Sequence, residues 1–295
     1  LDRVVATYAL DVLRAVDDAL FAELGVRHPG PVRLEIYPTT ATLADVSTLT
    51  IEEIETTGTI ALCKWDRLMI TSPRALVRGY PWADTIGHEY VHLAVSLVTH
   101  DRAPVWMQEG FARFLERRWR GGAPVAAVDP GSERLLRTAL DEERLLSFDR
   151  LHPSIAMLPS ADDAALAFAQ VSTFVEAFYA RRGSAGLADV LGRVAAGTDA
   201  REAFALAAAT SWDELEVRWR EGLLARAVPV DDAEVPRLRF RHGETEPDDT
   251  AEIGETEARR FVRLGDLLWE RSRPGAAAVE YGRANAEAPD DPIVG

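Results

Sequence analysis

Two histidines and a glutamate form the pattern H-E-x-x-H within the segment 85–95. They are His88, Glu89 and His92. On an α-helix, positions i and i+4 lie on one face a turn apart, so both imidazoles can reach one metal ion. Glu89 projects to the side, where it can hold a water molecule beside the metal without becoming a ligand. The surrounding residues are apolar or small, as in a buried helix: Ile86, Val91, Leu93, Ala94 and Val95. The alternative is a buried helix whose two histidines are only hydrogen-bonded.

A third ligand is available in the next apolar stretch, 104–116. Catalytic zinc sites usually have three protein ligands and an open fourth position. Glu109 lies 17 positions after His92, near the start of a predicted helix that Pro104 helps to begin. If the two helices pack antiparallel, Glu109 returns to the histidine pair, where a buried carboxylate is costly unless it is paired or ligated. The alternative is a surface glutamate that the helix dipole favours. We prefer the ligand because large apolar residues mark a buried stripe on this helix: Trp106, Phe111, Phe114 and Leu115.

The metal pattern and the stretch W-x-x-E-G-x-A that follows it, at 106–112, resemble the gluzincin metallopeptidases. In particular the chain resembles the bacterial peptidase MA-like family, and the likeness extends from about Val32 to about Leu223. It implies one zinc ion per chain, held by His88, His92 and Glu109. It also implies that Glu89 is the general base, which activates water to hydrolyse a bond in a peptide or protein substrate. The fold implied is α+β, a zincin-like catalytic domain with a small strand-rich N-terminal part and a helical C-terminal half.

Two positions depart from what this resemblance leads us to expect. A tyrosine is expected near the start of a predicted helix over 164–181, where this chain has Phe168, and an acidic residue is expected at Arg113. Tyr179 and His152 could replace the tyrosine, although each is better explained as a structural residue. Two alternatives therefore stay open beside the peptidase. One is a catalytically silent zinc-binding domain that acts as a protein-interaction module, and the other is a zinc hydrolase of a non-peptide amide.

The composition is that of an ordinary globular protein, with 47% hydrophobic and 27% charged residues in a chain of 295. This length suffices for one large domain and a small one. The net charge of −15 argues against a nucleic-acid partner. Cys63 is the only cysteine, which excludes an intrachain disulfide. No apolar run approaches the ~18 residues of a membrane span.

Residue usage and the first residue suggest an origin for the chain. Lys64 is the only lysine beside many arginines, and alanine is abundant, a usage typical of GC-rich bacterial genomes. Because the sequence begins at Leu1 rather than at methionine, we interpret it as a fragment from which any signal peptide is missing. We therefore expect a bacterial protein with a periplasmic or extracytoplasmic location.

The residues before the metal helix predict a strand-rich part. Apolar periodicity predicts a helix, a strand, a short helix and two hairpin strands, over 4–24, 31–38, 41–49, 58–63 and 67–71. Gly25 ends the first helix, and the hairpin turns near Trp65 and Asp66. By the resemblance, one strand borders the cleft and pairs with an extended substrate backbone. An ordinary structural hairpin is the alternative.

The residues after the metal helices predict a helical half. The predicted helices include 164–181, which ends at Gly183, and then 187–195, 201–208 and 212–226. In the last of these, Trp212, Leu215 and Trp219 share one face. Such a stripe is typical of a core face, and we interpret it as one.

The end of the chain changes character twice. The stretch 229–257 is acidic and poor in apolar residues, which predicts a linker between a peptidase domain over 1–228 and a last segment over 258–295. That last segment resembles one 34-residue tetratricopeptide repeat, with matches at Leu264, Gly265, Ala277, Tyr281, Ala284 and Pro289. Since one helical hairpin cannot bury both its faces, we expect either that it packs on the peptidase domain or that further repeats follow Gly295. It is the segment where we expect any protein partner to bind.

Overall fold

The structure, a computed structural model, describes residues 2–47, 49–52, 54, 58–64, 66–76, 79–121, 128–151, 155, 158–226, 240, 256–270, 273–289, 291 and 294. The chain separates into two compact units. The first comprises Leu1–Ser72 and Pro81–Arg237, and the second comprises Pro73–Tyr80 and Leu238–Gly295. His88, Glu89, His92 and Glu109 all belong to the first unit.

A small sheet forms in the N-terminal part, as the alternation of apolar residues predicts. Its strands are β1 (Arg33–Tyr37), β2 (Ala61–Lys64) and β3 (Arg67–Thr71), in the order β1-β3-β2. β2 and β3 form the predicted antiparallel hairpin, whereas β1 runs parallel to β3. At the hairpin turn, Asp66 has a left-handed backbone with φ 56°, and Trp65 lies outside the described residues. Because β2 pairs only with β3 among the described strands, it is an edge strand of the sheet.

Two helices flank β1 in the chain, α1 (Asp2–Leu24) and α2 (Thr40–Val46). Both confirm the predicted periodicity, and α1 ends directly before Gly25. α1 also contacts the helix that carries the H-E-x-x-H motif. The hydroxyl of Tyr90 on that helix donates a hydrogen bond to Oδ1 of Asp17 on α1 at 2.5 Å.

The metal motif lies on α3 (Trp82–Thr99), and the second predicted ligand segment lies on α4 (Val105–Leu115). The two helices are joined by the predicted short turn. His100 ends α3 in a left-handed conformation with φ 53°, and its N–H donates to the carbonyl oxygen of Ser96. Pro104 precedes the first helical residue of α4 with an extended backbone. A connection this short brings neighbouring helices back alongside each other.

The helical half continues with α5 (Pro130–Asp141), α6 (Ala161–Ala195), α7 (Ala200–Ala208) and α8 (Trp212–Leu224). The predicted end of a helix at Gly183 is confirmed as a break inside α6, where Gly183 is non-helical with φ 60° and ψ −167° and separates two helical stretches. A left-handed glycine usually marks a helix end. Here the chain returns at once to helical geometry, and Leu187 and Val190 of the continued helix are fully buried. No helix in the described part of the chain is long and apolar enough to cross a membrane.

An aromatic cluster forms the core behind α4. Trp106 of α4 packs with its ring centre 4.9 Å from Phe148 and 5.7 Å from Trp212. Leu215 and Trp219 are buried too, so the predicted core face of α8 is confirmed. Buried aromatic pairs contribute roughly 0.5–1.5 kcal/mol each beyond the burial of their area. Packing of Trp106, which lies three residues before Glu109, therefore holds the first turn of α4 in place.

The second unit contains the helical hairpin α9 (Thr256–Glu270) and α10 (Pro274–Glu287). Ala277 and Ala284 of α10 are fully buried, and the hydroxyl of Tyr281 donates to Oδ1 of Asp266 on α9 at 2.8 Å. The hairpin matches the helix–turn–helix that the repeat pattern predicts, while its identity as a tetratricopeptide repeat stays a prediction. The predicted acidic linker, 229–257, lies outside the described residues except at 240, 256 and 257.

Candidate metal centre

The side chains of His88, His92 and Glu109 meet in one cluster, although they come from two helices. The Nε2 atoms of the two histidines are 3.1 Å apart. The Glu109 carboxylate oxygens lie 3.3 Å from Nε2 of His88 and 3.6 Å from Nε2 of His92. One ligand atom from each residue therefore lies within 4.8 Å of the other two. The structure brings all three predicted ligands together.

The outer nitrogen of each histidine ring meets an acceptor on α4. Nδ1 of His88 is 3.1 Å from Oε2 of Glu116, and Nδ1 of His92 is 3.4 Å from Oε1 of Gln108. Gln108 is itself oriented, because its Nε2 donates to Oγ of Ser96 at 3.1 Å. Such partners hold the hydrogen on Nδ1 and leave Nε2 free to bind a metal.

Sequence reasoning did not find Glu116 and Gln108. Glu116 lies seven positions after Glu109, which is two helical turns along the same face. This spacing is the signal that could have shown it. Gln108 adjoins the predicted ligand, and nothing in its own sequence context distinguishes it from a surface residue.

The donor set fits a zinc ion. With hydrogen on both Nδ1 atoms and none on Nε2, two ring lone pairs face the Glu109 carboxylate, an arrangement that favours a positive charge between them, either a proton or a metal ion. Two imidazole nitrogens and a carboxylate oxygen are a ligand set of catalytic zinc. The charges also favour a cation: burial lowers the pKa of His88, but Glu109 and Glu116 raise it to about 10. Burial likewise raises the pKa of Glu109, but the two histidines lower it well below its usual range.

Glu89 lies beside this cluster and outside the ligand group. Its residue exposure is only 5%. Burial raises the pKa of its carboxyl, and the positive charges of His92 and His88 oppose that rise only in part. A carboxylate with a raised pKa is a stronger base than an exposed one, so Glu89 is suited to remove a proton from water near neutral pH.

A comparison with families of known proteins covers this whole region: the family model described as the Peptidase MA superfamily matches residues 15–225. The chain belongs to the Peptidase MA superfamily. The matched span begins in α1, before Val32, at which the likeness seen in the sequence begins. It ends directly after α8. No curated protein and no solved structure matches the chain significantly. Membership in the superfamily suggests protease activity and a metal cofactor, typically zinc.

The two departures from the pattern expected of the superfamily lie in contact with each other. The guanidinium carbon of Arg113 on α4 lies 4.7 Å from the ring centre of Phe168 on α6. Of the two residues that could replace the expected tyrosine, Tyr179 donates its hydroxyl to Oε2 of Glu23 at 3.0 Å. This contact favours the structural interpretation of Tyr179. His152 lies outside the described residues.

A glycine on α3 allows the close approach that brings Glu116 to His88. A Cβ atom added at Gly87 would lie 2.3 Å from the carbonyl oxygen of Glu116, far inside van der Waals contact. Because the opposing atom belongs to the backbone at the end of α4, it cannot rotate away. The close approach of α3 to the end of α4 therefore depends on a residue without a side chain at position 87.

We expect Gly87→Ala to lower the free energy of unfolding by about 1–3 kcal/mol, the usual cost of overpacking a tight interior contact, and to reduce the zinc content. Urea denaturation and elemental analysis measure the two effects. The matched control is Gly192→Ala, on an exposed turn of α6 where an added Cβ meets nothing within 4 Å. That change should be neutral or stabilising, by up to about 1 kcal/mol, because alanine is the better helix former. Equal stability of the two variants would show that α3 and α4 can separate without harm.

Proposed function

We propose that the protein is a zinc-dependent metallopeptidase of the gluzincin type, in which His88, His92 and Glu109 hold one zinc ion per chain. The observation that carries the proposal is the convergence of these three donors, with Glu89 next to them and not among them. Zinc in such a site lowers the pKa of a bound water towards neutrality and polarises a carbonyl group. Membership in the Peptidase MA superfamily supports a peptide or protein as the substrate.

Side chains of the protein would perform the proton transfer and orient the metal ligands. Glu89 accepts a proton from the attacking water and passes it to the nitrogen of the leaving amine. Glu116 and Gln108 hold the rings of His88 and His92 in the orientation that presents Nε2. Because Glu89 is buried, bulk water screens its charge little. This strengthens its interaction with the positive charge that develops on the leaving nitrogen as that nitrogen is protonated.

The edge strand β2 is suited to hold the substrate backbone. It pairs with β3 on one side only among the described strands, and its residue Cys63 lies near the general base. Burial raises the pKa of the Cys63 thiol to about 12, and the negative charge of Glu89 adds to the rise. The thiol therefore stays protonated, and β2 supports main-chain pairing with an extended peptide rather than a nucleophile.

Purification without chelator followed by elemental analysis tests the proposal, and about one zinc per chain is expected. Hydrolysis of a broad peptide panel should be lost with a zinc chelator and restored by added zinc. A second candidate function is a catalytically silent zinc-binding domain that interacts with proteins through its helical hairpin. Phe168 favours it, since a phenyl ring cannot donate a hydrogen bond to an oxyanion. Zinc binding without cleavage in the wild type, and a gain of cleavage in Phe168→Tyr, would show that the site is catalytically silent because of Phe168, as this second function requires.

A further inference from the structure

A line of three contacts runs from α6 to the metal centre. The ring of Phe168 lies under the guanidinium of Arg113, whose carbon is 4.7 Å from the ring centre. Nη1 of Arg113 is 3.8 Å from Oε2 of Glu116. The same carboxylate oxygen lies 3.1 Å from Nδ1 of His88. Arg113 is thus separated from a metal ligand by one carboxylate.

The buried carboxylate of Glu116 needs positive charge nearby. Its residue exposure is 6%, so its carboxylate is largely removed from water. A buried carboxylate is costly unless a positive group compensates it. A histidine that binds a metal through Nε2 is a neutral ligand, so His88 then offers Glu116 a hydrogen bond, and the charge of the ion lies beyond the ring. Arg113 is positioned to supply further positive charge, with Nη1 3.8 Å from Oε2 of Glu116.

The position of the Arg113 guanidinium is defined by packing. The aromatic face of Phe168 attracts a cation, and a partly desolvated contact of this kind contributes more than an exposed one. Among the described residues, Nε of Arg113 is buried without a hydrogen-bond partner. Orientation therefore comes from the ring and from Glu116, which lies on the next turn of the same helix. The two departures from the expected pattern, Phe168 and Arg113, form one arrangement.

We propose that Arg113 is a positioning residue of the metal centre. It rests on the face of Phe168, compensates the buried charge of Glu116, and so keeps Glu116 as the acceptor that orients His88 for metal binding. This inference depends on the proposed zinc site but not on peptidase activity.

Zinc affinity of the whole chain tests the inference, with a chromophoric chelator as competitor. We expect Arg113→Met to weaken zinc binding by up to roughly tenfold, less than the 10–100-fold that follows loss of a direct outer partner such as Glu116, because Arg113 acts through Glu116 at 3.8 Å. Arg113→Lys should weaken it less, because the charge remains although the planar contact with Phe168 is lost. The control is Arg117→Met, one turn further along the chain. It removes the same charge from a residue whose Nε pairs with Asp84 at 3.2 Å instead of with Glu116.

A double-mutant cycle separates action through Glu116 from general destabilisation. If Arg113 acts through Glu116, Arg113→Met should change the zinc Kd little once Glu116→Gln is present. The melting temperature of the metal-free variants is the second measurement. A merely structural arginine would lower it by the same amount in both backgrounds and leave the zinc Kd unchanged.

Three results would overturn the inference while leaving the proposed function intact, since the wild type would still bind zinc. They are an unchanged zinc Kd in Arg113→Met, an equal loss in Arg117→Met, and independent effects of Arg113→Met and Glu116→Gln. Absence of zinc from the wild type would instead overturn the proposed function, and this inference with it.

Discussion

His92→Ala is expected to abolish stoichiometric zinc binding and to remove the stabilisation that zinc gives to the fold. The ligands come from two helices, so a bound ion ties α3 to α4 and its binding energy adds to the free energy of folding. At a free zinc concentration of 100 times Kd, this linkage is about 2.7 kcal/mol. For a domain of this size it corresponds to a difference of roughly 5–10 °C in melting temperature. Elemental analysis and thermal melts with and without chelator measure both quantities.

The control for this loss is His28→Ala. His28 lies in the loop after α1, where its Nδ1 is 2.8 Å from the carbonyl oxygen of Gly30, and it is not part of the ligand group. Zinc content and the effect of chelator on the melting temperature should match the wild type. Stoichiometric zinc in a double variant with both His88→Ala and His92→Ala would place the ion elsewhere and contradict the assignment.

The convergence of the ligands could be predicted because each step has a local cause. The spacing of His88 and His92 is a property of any helix, and the turn before Pro104 is short enough to return the chain. Antiparallel packing of the second helix against the first then brings Glu109 to the two histidines. The strands and most helices follow for a similar reason, since the period of buried residues reports the element directly.

The contacts around the ligands could not be predicted in the same way, because they depend on distances between elements. Glu116 reaches His88 only because Gly87 lets the end of α4 approach α3. A glycine inside a helical pattern does not indicate which residue packs against it. Gly183 could be predicted from its type alone. A glycine at the end of an apolar pattern indicates a helix end, and the helical geometry is interrupted there before the chain continues in a second helical stretch.

The role of Arg113 illustrates the limit of a family pattern. Comparison with the expected pattern marks Arg113 and Phe168 as two separate departures, each of which weakens the case for an active enzyme. In the structure they touch, and Glu116 lies where it can orient His88. An acidic residue at position 113 is therefore not required for a hydrogen bond to His88, and the absence of one is not an argument against metal binding.

Glu89→Gln is expected to lower peptidase activity by roughly 10²–10⁴-fold, the usual contribution of a general base. The amide keeps the size of the side chain but cannot take a proton from water at neutral pH. Zinc content should not change, because Glu89 lies outside the ligand group. Burial raises the pKa of Glu89 in the metal-free protein, so its carboxyl favours the folded state at low pH and this contribution is lost as the pH rises through that pKa.

The neutral amide removes the ionised form that burial disfavours, and the melting temperature of the metal-free variant should therefore equal or exceed that of the wild type. Activity, zinc content and melting temperature together separate loss of the base from loss of the metal or of the fold. Asp162→Asn, in the exposed first turn of α6, is the control for changing a carboxylate to an amide. It should leave activity and zinc content unchanged and lower stability by roughly 0.3–1 kcal/mol at most, because an acidic residue in a first turn interacts with the helix dipole. If the wild type cleaves peptides and Glu89→Gln cleaves them equally fast, another group activates the water. The gluzincin mechanism would then be wrong for this chain even with zinc bound by His88, His92 and Glu109.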